Sequence, residues 1–302
     1  GSEMCIRDRA TPTLRHNPSA QLVTYRRHNM LVDCGEGTQL QLRRYGISFA
    51  RIDHIFLSHL HGDHFLGLPG LLSTMALHSV EGDVTVHTFA EGVDILRPLI
   101  NAVCRERTYS LHWDVVEPGT TSTVFDDGSL RVTAFPLYHR VPCVGYRFDE
   151  VNKRRHIDRE SCDYYGVPNF LMNEIKDGAD LVLPDGVVVP NERLTTDPTP
   201  PASYAYCSDT AMDMRVAEAV KGVEVLYHES TYGDDGLHKA APRGHSTARQ
   251  AGEIARAAGA GTLVLGHYSK TIFDEARLAS EAAEVFDGKV IAGNEGIKID
   301  LA

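Results

Sequence analysis

The densest chemistry in this chain is Ser58-His59-Leu60-His61-Gly62-Asp63-His64, three histidines and an aspartate within six residues, directly after the apolar run Ile52–Leu57. In an extended loop alternate side chains face the same way, so His59 and His61 can meet one metal ion while Asp63 and His64 turn toward a second. A polar loop of solvated histidines is the bland alternative. It is the poorer reading, because the four ligand-type residues sit where a strand ends, the usual place for sites in α/β proteins. The motif does not stand alone: His139 follows LRVTAFPLY, Asp209 follows YAYCS, His228 and Glu229 follow EVLY, and His267 follows TLVLG. Any one of these is more easily a hydrogen-bonded structural residue. Four strands ending in His or Asp are hard to obtain from packing alone. Together they complete two shells, His59, His61 and His139 around one ion and Asp63, His64 and His267 around another, with Asp209 bridging and room for a shared hydroxide. Imidazole with carboxylate suits Zn2+ first, with Mn2+ or iron as alternatives.

The elements that must position these groups are legible in the periodicity. Ala20–Tyr25 and Met30–Asp33 alternate as two strands around the Arg26-Arg27-His28-Asn29 turn, and a helical stretch after Gly35 leads to the strand before the histidine motif. Leu66–His78 reads as a helix, Val84–Thr88 as a strand and Ala90–Val103 as a helix. Val115–Glu117, Ser122–Phe125, Leu130–Phe135 and Cys143–Phe148 then read as antiparallel strands. Strand and helix alternate again through Tyr204–Ser208, Ala211–Val220, Val223–His228, Thr247–Ala258, Thr262–His267, Phe273–Phe286 and Lys289–Ala292. Between them, residues 151–202 change character: a basic start, a helical Arg159–Tyr165, then Pro168, Pro184, Pro190, Pro198, Pro200 and Pro201, as in an inserted arm. The class is α/β, in a single domain over 1–302 with that insertion.

Composition sets the outer limits. The 302 residues are 42% hydrophobic and 24% charged, which fits a globular protein and excludes an intrinsically disordered one. Thirty Lys and Arg against 41 Asp and Glu give a net charge of −11, so any contact with nucleic acid must be local rather than a general basic coat. Six cysteines without a CxxC pair suit reduced thiols in a cytoplasmic protein. No apolar run spans a membrane and none is bounded like a secretion signal. The first nine residues, GSEMCIRDR, show no alternation and read as an atypical start.

Several motifs occur in order: DCGEGTQ at Asp33–Gln39, the HLHGDH cluster, GLPGLLST at Gly67–Thr74, SDT at Ser208–Thr210, HEST at His228–Thr231, GHST at Gly244–Thr247 and GHYS at Gly266–Ser269. On these the chain closely resembles the ribonuclease Z family, short-form tRNA 3′-processing endonucleases of the metallo-β-lactamase superfamily. HxHxDH alone marks only the superfamily, whereas DCGEGTQ with GHST and the spaced arm marks the nuclease. The resemblance implies a four-layer αββα sandwich with an inserted flexible exosite arm and two Zn2+ per subunit in the ligation given above.

By the same resemblance Asp63 serves also as general base for the attacking water, His245 protonates or stabilises the leaving 3′-oxygen, and Glu229 orients His245. From spacing alone His245 reads equally well as a helix-start residue beside Ser246 and Thr247. Ser269 and Lys270 are expected to hold phosphate, although lysine lacks the bidentate fork of the arginine common in the family. The arm is expected to grip folded precursor tRNA through Lys153, Arg154, Arg155, Arg159 and Lys176, with a homodimer presenting arm and active site to one substrate. The family begins with an apolar strand and a Gly-rich turn leading into Ala10-Thr11-Pro12-Thr13, and GSEMCIRDR supplies neither. An imperfectly paired first strand and reduced stability are therefore expected. Two other readings are a metal-dependent phosphodiesterase for small substrates and a tRNA-binding protein without catalysis.

Overall fold

The computed structural model describes residues 2–7, 17–151 and 153–301, with side chains from residue 17 onward. Two seven-stranded mixed sheets carry the fold. The first runs in the order Lys298–Leu301, Ser2–Arg7, Ala20–Tyr25, His28–Val32, Ile52–Phe56, Asp83–Thr88, Ser110–Val115, antiparallel up to His28–Val32 and parallel beyond it. The second runs Lys289–Ala292, Thr262–Gly266, Val225–Glu229, Ser203–Cys207, Val144–Glu150, Leu130–Pro136, Ser122–Asp126; its first four strands are parallel and the rest antiparallel.

The side-chain period of two sorts each central strand between two cores. Met30, Val32, Phe56, Tyr204, Tyr206, Val225 and Tyr227 meet between the sheets. Their neighbours Leu31, Ile55 and Leu57 face outward, under the helices Leu68–Leu77 and Ala90–Val103. On the other side Ala205, Cys207 and Leu226 lie under Met214–Ala219, Ala248–Ala258 and Glu275–Ala283. Three apolar layers separated by two sheets make the expected αββα sandwich.

Several boundaries differ from the sequence reading. His28 opens the second strand rather than sitting in the turn, which is only Arg26-Arg27, with Arg26 at φ 50°. The Leu66–His78 helix is Leu68–Leu77, preceded by a separate helical turn, Gly62–Phe65, within the motif expected to be a loop, and the strand expected at Val115–Glu117 is Ser110–Val115. The five cysteines with described side chains, Cys34, Cys104, Cys143, Cys162 and Cys207, are buried.

Two larger corrections concern the start and the arm. Ser2–Arg7 forms a strand despite its polar composition, paired antiparallel with Lys298–Leu301 on one side and Ala20–Tyr25 on the other. Ladder hydrogen bonds need only backbone, so a central position does not require the apolar alternation that the sequence lacks. The Ala10–Thr13 motif lies outside the described residues. The 151–202 segment joins strands that are direct neighbours, Val144–Glu150 and Ser203–Cys207. It is a folded module with its own core of Cys162, Val167, Ile175, Leu181, Val189 and Leu194. Two short ladders, His156–Ile157 with Thr195–Thr196 and Leu181–Val182 with Val188–Val189, close it.

Deleting Ser2–Arg7 would open two sheet edges at once. At a net value of about 0.5–1.5 kcal/mol per hydrogen bond, several kcal/mol are lost. The melting temperature, followed by circular dichroism, is expected to fall by at least about 5 °C; an unchanged transition would contradict the pairing.

Candidate metal centre

The site is built at the carboxyl ends of both sheets. The parallel strands His28–Val32 and Ile52–Phe56 deliver Asp33 and the Ser58–His64 loop. From the second sheet come Asp209 after Ser203–Cys207, Glu229 in Val225–Glu229 and His267 after Thr262–Gly266. His139 follows Leu130–Pro136, and His245 lies just before the helix Ala248–Ala258, which is capped by Thr247 through a reciprocal pair with Gln250.

The donor atoms fall into two groups. His59 Nε2 lies 3.1 Å from His61 Nδ1, and His139 Nε2 lies 3.2 Å from the same atom. Asp209 Oδ2 is 3.6 Å from His59 Nε2 and 3.7 Å from His139 Nε2. In the second group Asp63 Oδ2 is 3.6 Å from both His64 Nε2 and His267 Nε2, and those nitrogens are 3.4 Å apart. Asp209 presents its other oxygen there, Oδ1, 3.1 Å from His267 Nε2 and 3.7 Å from His64 Nε2. Tetrahedral bonds of about 2.0–2.1 Å place neighbouring donors roughly 3.3 Å apart, so both groups have the dimensions of a metal shell.

Chemistry of the donor set supports the same fit. Among the described residues the carboxylates of buried Asp33, Asp209 and Glu229 and of half-buried Asp63 form ion pairs with histidines and none with Lys or Arg. Asp209 Oδ1 is buried without a hydrogen-bond donor. Burial opposes protonation of His64, but Asp33, Asp209 and Asp63 outweigh it and lift its pKa to about 9. Burial likewise opposes ionisation of Asp63, yet His267 and His64 hold its carboxyl far below the ordinary range. Such negative potential around neutral nitrogen donors is relieved by divalent cations.

Most ligand imidazoles are fixed through the other ring nitrogen, which leaves Nε2 aimed inward. His64 Nδ1 meets Asp33 Oδ2 at 2.7 Å, His139 Nδ1 the Gly244 carbonyl at 2.6 Å, His59 Nδ1 the Ser58 hydroxyl at 3.0 Å and His267 Nδ1 the Thr231 hydroxyl at 3.2 Å. Gly244 is at φ 69° and a Cβ there would lie 2.9 Å from His139 Nδ1, so glycine is needed on both counts. His267 itself sits at φ 55°, backbone strain of the kind that marks functional positions.

Beside the donor groups stands a dyad. Glu229 is fully buried and accepts from the backbone N–H groups of Thr210, Thr231 and Ser246 and from the Thr231 hydroxyl. Its Oε1 is 2.8 Å from His245 Nδ1. Burial works against both charges, but His245 draws Glu229 down to about 2 and Glu229 in turn raises His245. His245 is thus held as an imidazolium, its ring 5.8 Å from that of His267 and 5.0 Å from that of His139. His228, one residue before Glu229, is not part of this arrangement: it is buried on the opposite face with Nδ1 bonded to the Glu229 carbonyl.

Asp33 is the residue whose role the sequence reading missed. It is fully buried in the left-handed region, φ 57°, and accepts from Ser58 N, Ser58 Oγ, His64 Nδ1 and Tyr206 Oη. The signal available was its place directly after a strand, at the head of DCGEGTQ.

Four of the basic residues expected to contact RNA are paired with carboxylates of this chain. Lys153 pairs with Glu150, Arg154 with Asp177, Arg155 with Asp197 and Arg159 with Asp163. Segment 151–202 holds six Lys and Arg against nine Asp and Glu, a net charge of −3, so it is not a basic arm. Lys176 is half-buried, and its carbonyl accepts from Arg155. Ser269 bonds to Thr271, while Lys270 is exposed three residues past His267. A cleft of about 580 Å³ opens beside His139, lined by Tyr138, Arg140, Pro142 and Gly244 among others.

Residues 28–194 match the model of the beta-lactamase superfamily domain. A ribonuclease Z of Parabacteroides distasonis is 45% identical over 97% of this chain and 96% of its own length. A ribonuclease Z of Porphyromonas gingivalis is 41% identical over 97% and 96%. Among solved structures, the short form of human tRNase Z superposes with a TM-score of 0.70 at 23% identity, covering 99% of both chains, and a diphosphatase of the PhnP family with 0.63 at 16%, covering 99% and 96%, which speak to fold alone. By its near full-length identity to these relatives, the chain belongs to the ribonuclease Z family, within the metallo-β-lactamase fold.

Proposed function

We infer that this chain is a metal-dependent endoribonuclease that removes the 3′ trailer of precursor tRNA and leaves a 3′-hydroxyl on the tRNA. The observation that carries the reading is the position of Asp209, one oxygen in each donor group, with the His245–Glu229 pair facing them. His59, His61 and His139 would hold one ion and Asp63, His64 and His267 the other, with Zn2+ the best match to imidazole and carboxylate donors. Bound there, two divalent cations would neutralise the non-bridging phosphate oxygens and make water acidic enough to attack near neutral pH.

The chain's own groups supply the rest. Asp63, held ionised, orients the attacking water and accepts its proton. His245, kept protonated by Glu229, donates to the departing 3′-oxygen, and the buried carboxylate keeps the ring in place while the proton leaves. The cleft beside His139 gives the RNA end a route in, with Arg140 and the exposed Lys270 for phosphate and Ser269 as a hydrogen-bonding neighbour.

The 151–202 module is the exosite in this reading, and its charge balance favours recognition of tRNA shape over a coat of cations. Lys153, Arg154, Arg155 and Lys176 would engage phosphates by exchanging their internal partners. We place the enzyme in the cytoplasm as a homodimer. Among the described residues no helix is long and apolar enough to cross a membrane, and exposed Leu40, Leu66 and Leu77 offer apolar surface on the helical face of the first sheet.

Three experiments test this. A 3′-extended precursor tRNA should be cut once, at the end of the acceptor stem; cleavage that survives a chelator or Asp63→Ala would defeat the metal-dependent reading. His245→Ala should cost about 10²–10⁴-fold on precursor tRNA. On bis(p-nitrophenyl) phosphate, whose phenolate leaves without a proton, it should cost far less; equal losses would remove His245 from the proton-donor role. Replacing 153–201 by a short turn should abolish tRNA cleavage and spare the chromogenic diester, whereas intact tRNA cleavage would show that the module is not the recognition element.

A further inference from the structure

A second histidine–aspartate cluster lies at the opposite end of the strands that build the metal centre. His28 opens the strand whose end carries Asp33; Asp53 and His54 open the strand that runs into Ser58–His64. Five residues of strand, roughly 16 Å at about 3.3 Å per residue, separate the two ends. His28, Asp53 and His54 offer one donor atom each within 4.8 Å of one another.

We propose that His28, Asp53 and His54 form an additional, non-catalytic site for a zinc-type divalent cation. The outer contacts are those of a metal shell. His54 Nδ1 lies 2.9 Å from His87 Nε2, and His87 Nδ1 lies 2.8 Å from Asp114 Oδ2. With Asp114 accepting, His87 carries its proton on Nδ1 and accepts from His54 Nδ1–H, which leaves the Nε2 lone pair of His54 bare. His28 lies between two carboxylates, its Nδ1 hydrogen-bonded with Asp53 Oδ2 and its Nε2 3.2 Å from Asp127 Oδ2, so an ion would take the place of the proton between Nδ1 and Asp53 while Asp127 holds Nε2–H. Arg27 Nε approaches the same His28 nitrogen at 3.4 Å and would ask for the opposite tautomer, but the carboxylate contact is the shorter. Each histidine ligand is therefore backed by a carboxylate, directly or through a second imidazole.

A further observation points to a ligand. Asp53 Oδ1 is buried with no hydrogen-bond partner among the described residues, although its carboxylate belongs to this cluster. The rings of His28 and His54 are 6.1 Å apart, against 4.8–5.3 Å for the paired rings of the metal centre. A tetrahedral pair of imidazoles needs roughly 5 Å, so an ion would draw them together by about 1 Å. Phe125 packs edge-on against both rings and keeps that side dry. A cleft of about 970 Å³ reaches His28 and Asp127, with Arg26, Arg27, Lys153 and Arg154 also on its walls, and offers a solvent position beside His28. With Asp127 supplied by the second sheet's Asp126–Ser129 turn, the ion would tie the two sheets together at the end remote from catalysis, as a structural staple.

The test is a difference in bound metal, independent of how many ions the catalytic groups hold. Chelator-stripped wild type, Asp53→Asn and His54→Gln are dialysed against Zn2+ alone, freed of loose metal and assayed by elemental mass spectrometry. Each variant should retain one zinc fewer than wild type and still cleave precursor tRNA. Equal zinc in folded variants overturns the site. Should both variants fail to fold, cadmium-113 NMR of wild type decides: a third resonance beside the two of the catalytic groups supports the site, and two or fewer overturn it.

Discussion

The active edge of this molecule hangs on one buried carboxylate. Asp33 leaves its strand in the left-handed region and accepts four hydrogen bonds, two from Ser58, one from His64 and one from Tyr206. The first three fix the start and end of the histidine loop. The fourth crosses from the other sheet, so one side chain sets both the loop's shape and the distance between the two halves of the metal centre. A carboxylate in such surroundings is tolerable only because every partner is present; losing one donor leaves buried charge uncompensated.

The same reasoning extends outward. Donor groups separated by 3.1–3.7 Å cannot be held at that spacing by loops alone. They are held because each follows a strand of one of the two sheets, and because nearly every imidazole is gripped at its far nitrogen. Glu229 repeats the role of Asp33 on the second sheet, with Thr231 touching Glu229, His245 and His267 and so joining the proton donor to a metal ligand. The two halves of the chemistry, ion binding and proton donation, are therefore parts of one hydrogen-bonded layer.

The inserted module follows different rules. Its six-residue core is small, and its cations are spent on internal carboxylates. On the function proposed above, such a module would recognise folded RNA more through the surface it presents than through charge, in keeping with a net charge of −11.

Local pattern in the sequence determined the α/β class, the order of strands and helices, and the seven metal-ligand candidates, because ligand residues at strand ends and a period of two need no knowledge of distant partners; the αββα layering came from the family resemblance. Tertiary structure decided which of two consecutive residues serves: His228 and Glu229 end the same strand, but alternation sends one among the helices and the other into the site. It decided that the polar Ser2–Arg7 is a central strand, since backbone pairing is blind to side chains. It assigned Asp33 its partners, gave residues 151–202 a core, and gathered His28, Asp53, His54 and His87 from three strands. Each of those outcomes depends on groups far apart in the chain, and only packing brings them within reach of one another.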